Sequence, residues 1–305
     1  MKAIQFNAYG GPEVLRMVEV DEPHAGPGQV RIAVRAAGLN LSDLWKARAG
    51  TWKGMPIALP SGIGVEGSGI VDEVGEAVSD VAIGDAVIGF GFDMLAQYAV
   101  LRPGCWVYKP TAMPFDVAGG LPVVVETATR LLDEVGVKPG DTLLVSGASG
   151  GVGAATVQLA RYRGITVIGT GSAKNLDYLR GLGAVPTTYG PGLAARVRNL
   201  APFGVDAAID IAGSGVIPEL IDLVGDPTRV LSAADLQAPQ HGARVSLVAQ
   251  KNPERALAVA VRLYLEGALR MTLANTFPLD QTAEAYRRYE AGDATGKYVI
   301  RLYPA

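Results

Sequence analysis

Cysteine is almost absent from this chain: Cys105 is the only one in 305 residues. A single thiol can form no internal disulfide and cannot furnish a four-cysteine metal site. Histidine is nearly as scarce. His24 and His241 lie far apart in polar or Pro/Gly-rich surroundings and read as surface residues, not ligands or bases. Charged residues make up only 19% of the chain, without a basic block, and the net charge of −3 argues against nucleic acid as a partner. No apolar run approaches the ~18 residues that cross a bilayer, so no membrane partner is expected. Met1–Phe6 reads as a short strand without a signal-peptide profile, which makes the cytoplasm the default compartment. With 49% hydrophobic residues over this length, the chain is expected to fold as two globular domains.

Glycine, by contrast, is abundant, with 39 residues. Mid-chain, the apolar run Thr142-Leu143-Leu144-Val145-Ser146 enters Gly147-Ala148-Ser149-Gly150-Gly151-Val152-Gly153, and a helix-forming stretch follows from Ala154 to Arg161. Strand, glycine turn and helix in that order form the entry to a dinucleotide-binding βαβ unit. Gly150, Gly151 and Gly153 let the backbone turn tightly and approach a pyrophosphate, while the helix start offers N–H groups and positive dipole. A short-chain dehydrogenase turn has similar spacing, but that family needs Tyr-x-x-x-Lys, and no tyrosine here has a lysine four residues on.

The next strand identifies the nucleotide. An NAD site carries Asp or Glu about 20 residues beyond the glycines to hold the ribose 2′-OH. Here the strand ends at Gly171, with Ser172 and Lys174 just beyond. Without the carboxylate, repulsion toward a 2′-phosphate is gone, and a hydroxyl and an ammonium offer a donor and a counter-charge. NADPH is therefore the expected cofactor; the competing reading makes Lys174 a solvated residue at a helix start and the site indifferent between NADPH and NADH.

The first ~110 residues hold short β-like runs such as Val30–Val34 and Gly69–Val74, separated by glycine and proline turns, and suggest a partly closed barrel. From about Phe115, helices alternate with buried strands (Thr142–Ser146, Thr166–Gly169, Ala207–Ile211, Val230–Ala233, Val245–Val248), the pattern of a doubly wound parallel sheet. The run at Thr228–Ala233 fits an inner strand or a dimer-edge strand equally. Lys297–Leu302 returns to strand character. The expected fold is α/β: a β-barrel domain over 1–112 and 273–305, interrupted by a nucleotide-binding domain over 113–272.

Several segments in order resemble the medium-chain dehydrogenase/reductase superfamily, in particular its zinc-independent quinone oxidoreductase branch. They are Ala36–Asp43, Gly64–Val71, Gly84–Gly89, Leu121–Ala128, Val137–Asp141, Gly204–Asp210 and Gly296–Ile300. The resemblance implies a GroES-like domain joined to a Rossmann domain, with NADPH in the cleft between them and pairing into a homodimer. It places Ala148, Ser149, Gly150, Gly151 and Val152 under the pyrophosphate, Ser172 and Lys174 around the 2′-phosphate, and Tyr189 near that phosphate or the adenine, with a core or surface tyrosine as its alternative. Gly171, Ser232 and Ala233 complete the expected cofactor set, and Thr127 comes near the nicotinamide. Asn40 offers an amide to the nicotinamide ribose or the substrate carbonyl; capping the helix from Leu41 is its alternative role. Trp52 becomes an aromatic wall for a flat acceptor, or a barrel-packing residue. Asp210 is expected to end a strand. Glu126 is a candidate acid, with an inter-domain surface carboxylate as the competing reading.

Zinc enzymes of this superfamily carry a cysteine ligand where Asn40 stands and a histidine ligand where Val65 stands, so no metal is expected. The implied reaction is hydride transfer to a quinone or an α,β-unsaturated carbonyl. The alternatives are a pathway-specific enoyl reductase and a catalytically idle NADPH-binding redox sensor. Trp52, Met55, Leu59, Leu273 and Phe277 are expected to shape an apolar pocket for a flat small molecule.

Overall fold

The computed structural model describes residues 1–52, 55–292 and 295–302, with the backbone alone at Trp52. Two compact units form: Met1–Val123 with Asn252–Leu265 and Thr272–Ala305, and Val124–Lys251 with Glu266–Met271. The first segment supplies β1 (Lys2–Phe6), β2 (Arg16–Glu19), β3 (Val30–Gly38) and helix α1 (Leu41–Ala49). A short pair, β4 (Thr51–Trp52) and β5 (Met55–Pro56), precedes β6 (Ser61–Gly62), β7 (Glu66–Val74), β8 (Ala86–Gly91) and β9 (Tyr98–Tyr108). Helix α2 (Phe115–Val135) spans the boundary between the units.

The second unit alternates β10 (Thr142–Ser146), α3 (Gly151–Tyr162), β11 (Thr166–Gly171), α4 (Leu176–Leu182) and β12 (Val185–Thr188). It continues with α5 (Leu193–Leu200), β13 (Ala207–Asp210), α6 (Ile217–Val224), β14 (Val230–Ser232) and β15 (Arg244–Val245). The chain then adds α7 (Pro253–Leu265), β16 (Leu273–Pro278), α8 (Thr282–Glu290) and β17 (Lys297–Arg301) to the first unit.

In the first unit, alternation along β3 turns Val30, Ile32 and Val34 inward. Its main sheet runs β16-β17-β3-β7-β8-β9, and β3 also pairs with β9, closing β3, β7, β8 and β9 into a barrel. Leu39 and Leu44 join that core from the start of α1. Phe277 belongs to the same core and stacks on Tyr298 at 5.8 Å. This corrects its expected place in a substrate pocket: β16 points the ring into the barrel.

In the second unit β10, β11 and β13 are buried almost throughout, which is why they read as continuous apolar runs. The sheet is wholly parallel, in the order β12-β11-β10-β13-β14-β15. Strand order reverses between β10 and β13, where open α/β sheets bind ligands at their carboxyl ends. Leu144, Ile168, Ala208 and Val230 hold its core. β14 is an inner strand, settling the alternative at Thr228–Ala233. The strand expected over Val245–Val248 is confined to Arg244–Val245; Leu247 and Val248 are exposed.

Candidate active site

The register of the second unit's sheet aligns its carboxyl ends. Ser146 is level with Asp210, Asp210 with Ser232, and Gly171 with Thr188. Beyond β10 the chain turns at Gly147, whose φ is +79°. Gly147 and Ala148 donate their N–H groups to Thr170 Oγ1 (3.2 Å) and Thr170 O (3.0 Å), fixing the loop to β11. Gly150 caps α3, and a Cβ there would meet only Gly147 O, at 3.8 Å. At Gly153 a Cβ would lie 2.2 Å from Gly147 O, so no side chain fits. The tight turn therefore belongs to Gly147, which the sequence reading passed over, and the close approach to Gly153. Its signal was the position immediately after the last buried strand residue. N–H groups in the first turn of α3 have no acceptor within the helix and carry its positive dipole, a site suited to phosphate.

At the end of β11 a Cβ on Gly171 would meet Leu179 at 3.0 Å and Ser149 Oγ at 3.6 Å. Asn175 Nδ2 donates to Ser149 Oγ (3.1 Å), tying this end to the glycine loop. Ser172 Oγ is buried without a hydrogen-bond partner. Lys174 is exposed on the short turn that follows. Tyr189 lies one residue beyond Thr188, on the neighbouring strand's end, and is 63% exposed. Arg196 holds its loop, donating to Thr188 O (2.8 Å) and Gly190 O (3.2 Å). An orphaned buried hydroxyl, an open glycine backbone and a helix start fit a phosphorylated dinucleotide.

Ser232 is fully buried; its hydroxyl donates to Asp210 Oδ2 (2.8 Å) and accepts from Asp235 N (2.8 Å). That side chain is committed, so Ser232 and Ala233 have only backbone to offer a ligand. Asp210 ends β13 and accepts from Ala212 N (3.1 Å) and Gly213 N (3.2 Å), an architectural role. On α2, the half-buried Thr127 donates to Glu126 Oε2 (3.3 Å). Glu126 is buried and pairs with Arg130 Nε at 2.9 Å, correcting the reading of a surface carboxylate. Its Oε1 also accepts from Gln250 N (2.9 Å), and Arg130 hydrogen-bonds Ser246 Oγ. Ser246 N still donates to Ser232 O of β14 (2.9 Å), and beyond it the chain leaves the sheet.

The first unit holds the other expected residues. Asn40 is the N-cap residue of α1, but the capping carboxylate is that of Asp43, whose Oδ2 accepts from Asn40 N (3.2 Å). The Asn40 side chain also engages two buried charges: Oδ1 accepts from Lys297 Nζ (2.6 Å) and Nδ2 donates to Glu66 Oε1 (2.9 Å). Lys297 and Glu66 pair at 2.8 Å and are 1% and 0% exposed. Glu66 Oε2 accepts from Val123 N (2.7 Å). Tyr286 OH donates to Asp43 Oδ2 (2.9 Å). Burial pushes the Asp43 carboxyl up to about 6, partly offset by the Tyr286 hydroxyl. Burial, with the Asp43 charge, raises the Tyr286 phenol well above its ordinary value. Sequence reasoning quoted Glu66 and Lys297 within motifs but gave them no role; a charge inside an apolar strand was the available signal. The Trp52 side chain lies outside the described residues.

Residues 26–111 match the alcohol dehydrogenase GroES-like domain, and residues 187–300 the family described as zinc-binding dehydrogenase. A chloroplastic quinone-oxidoreductase homolog from Spinacia oleracea is 30% identical, covering 98% of this chain and 98% of its own. The chain belongs to the medium-chain dehydrogenase/reductase superfamily, in its quinone oxidoreductase-like branch. A quinone oxidoreductase from Coxiella burnetii superposes with a TM-score of 0.85 at 31% identity, over 99% of each chain. A mycobacterial protein solved with NADPH superposes at 0.87 with 25% identity, over 99% of this chain and 100% of that one. A pikromycin polyketide synthase component from Streptomyces venezuelae is 33% identical over 91% of this chain, which spans only 8% of that protein.

This superfamily of oxidoreductases includes zinc enzymes, but the donor set here does not suit the ion. The positions that the resemblance assigns to ligands hold Asn40 and Val65, and the Glu66 carboxylate is taken by an ammonium, an amide and a backbone N–H. Among the described residues, no three His, Cys, Asp or Glu side chains converge as a metal site, and no helix is long and apolar enough to cross a membrane.

Proposed function

We propose that this protein is an NADPH-dependent, zinc-independent reductase of quinones or α,β-unsaturated carbonyls, its second unit holding the cofactor and its first the acceptor. The observation that carries the reading is the end of β11. Gly171 stands where an acid would bar a 2′-phosphate, and Ser172 beside it buries an unpaired hydroxyl. When bound, NADPH supplies the hydride. The Gly147–Gly153 turn and the start of α3 hold the pyrophosphate, Ser172 donates to the 2′-phosphate, and Lys174 and Tyr189 flank it. Ser232 and Ala233 offer backbone groups, and the Thr127 hydroxyl orients the nicotinamide end.

Asn40 donates from its amide to the acceptor carbonyl or the nicotinamide ribose; the aromatic wall expected of Trp52 falls on a side chain outside the described residues. Neither amide nor indole can release a proton at neutral pH. The proton that completes the two-electron reduction therefore comes from solvent, which suits acceptors that delocalise charge themselves. Rate then arises from positioning. The likeness to a segment of a polyketide synthase component supports a second reading, in which the acceptor is a conjugated biosynthetic intermediate.

The test follows NADPH and NADH oxidation in parallel against quinones, 2-alkenals, cyclic enones and simple ketones, using wild type and Gly171→Asp. Turnover of quinones or enones with NADPH preferred is expected. The aspartate should cut that preference by about tenfold or more. Turnover of simple ketones alone, or a preference for NADH, would overturn the assignment.

A further inference from the structure

We propose that Glu66 and Lys297 are positioning residues for the Asn40 amide: a clamp that fixes which end carries oxygen and aims its remaining N–H. The inference rests on the reading of Asn40 as a group that touches acceptor or nicotinamide. The two ends of an asparagine amide are nearly identical in shape, and only their partners determine the orientation. Lysine can only donate and an ionised glutamate can only accept. With Lys297 on Oδ1 at 2.6 Å and Glu66 on Nδ2 at 2.9 Å, one orientation is allowed. One N–H and one oxygen lone pair remain. The ammonium on Oδ1 also polarises the amide and makes its second N–H a stronger donor.

The surroundings are built around this clamp. Glu66 Oε2 is fixed by Val123 N, just after Pro122, whose ring and missing N–H break the local helix ladder. Gly38 leaves space for the carboxylate: a Cβ there would lie 2.5 Å from Glu66 Oε1. Burying two charges is a poor route to stability, because well-packed apolar residues commonly do as well or better. Holding an amide by both ends is something apolar residues cannot do.

The test compares wild type, Lys297→Met and the charge-neutral double variant Glu66→Gln/Lys297→Met. Its readouts are thermal melts, kcat and KM with NADPH and 1,4-benzoquinone, and the Asn40 side-chain amide resonance in asparagine-labelled protein. The single variant leaves Glu66 buried and unpaired and is expected to lose stability; the double variant is expected to recover it. In the recovered protein kcat should remain about 10–100-fold low, as for a misaimed group, while KM for NADPH stays within about twofold. The Asn40 amide protons should exchange faster than in wild type. A double variant with wild-type kcat and an unchanged Asn40 resonance overturns the clamp. Asn40→Ala with wild-type kcat removes the role of Asn40 instead, while the resonance still reports on the clamp.

Discussion

Ser172 carries a hydroxyl that folding has buried without a partner, a cost of about 1–3 kcal/mol unless a ligand satisfies it. Ser172→Ala should therefore leave the melting temperature unchanged or slightly raised. Its affinity for NADPH should fall by about tenfold or more, the loss of a hydrogen bond to a charged group, with NADH binding unaffected. Fluorescence titration with both nucleotides checks this; equal weakening of the two would place the hydroxyl away from the 2′-phosphate. Ser172 was singled out in the sequence on a local signal, one residue past a strand and near a missing acid, and the structure adds its buried, unpartnered hydroxyl. Glu66 and Lys297 were not, since each gains its role from the other and from Asn40, across the barrel, far apart in sequence. Glu126 failed for the same reason, its partner Arg130 being visible as an i,i+4 neighbour but its burial not.

Helix α1 begins on a buried carboxylate. Asp43 faces Tyr286 on α8, Lys297 on β17, Glu66 on β7 and the Asn40 backbone. Folded, it titrates at about 6; unfolded, near 4. Because the folded state holds this proton more tightly, the group's stabilisation is full below about pH 4 and is lost as pH rises through about 6. Asparagine keeps the acceptor oxygen without that titration. Relative to wild type, Asp43→Asn should gain about 1–3 kcal/mol between pH 4 and pH 7. Denaturant unfolding across that range measures it, and parallel stability curves for the two proteins would contradict it. Elements buried on both faces, β10, β11 and β13, were legible as apolar runs, as was the alternation in β3. β15 was not: only Arg244 and Val245 pair with β14, and the apolar run through Val248 continues past the strand's end, with Leu247 and Val248 exposed.

Across the molecule, the order of strands and helices carries the family assignment, and the sequence shows that order plainly: many short strands, then strand alternating with helix, then strands again. For the whole molecule the proposed function is passage of hydride from a reduced nicotinamide to a conjugated acceptor. The most direct measurement supplies NADPH deuterated at the transferring position, with 2-cyclohexenone as acceptor, and locates the label in the product. Deuterium at the β-carbon, with an unlabelled proton from water at the α-carbon, is the predicted result. Deuterium on the carbonyl carbon, giving the allylic alcohol, would contradict it and return the protein to alcohol dehydrogenase chemistry.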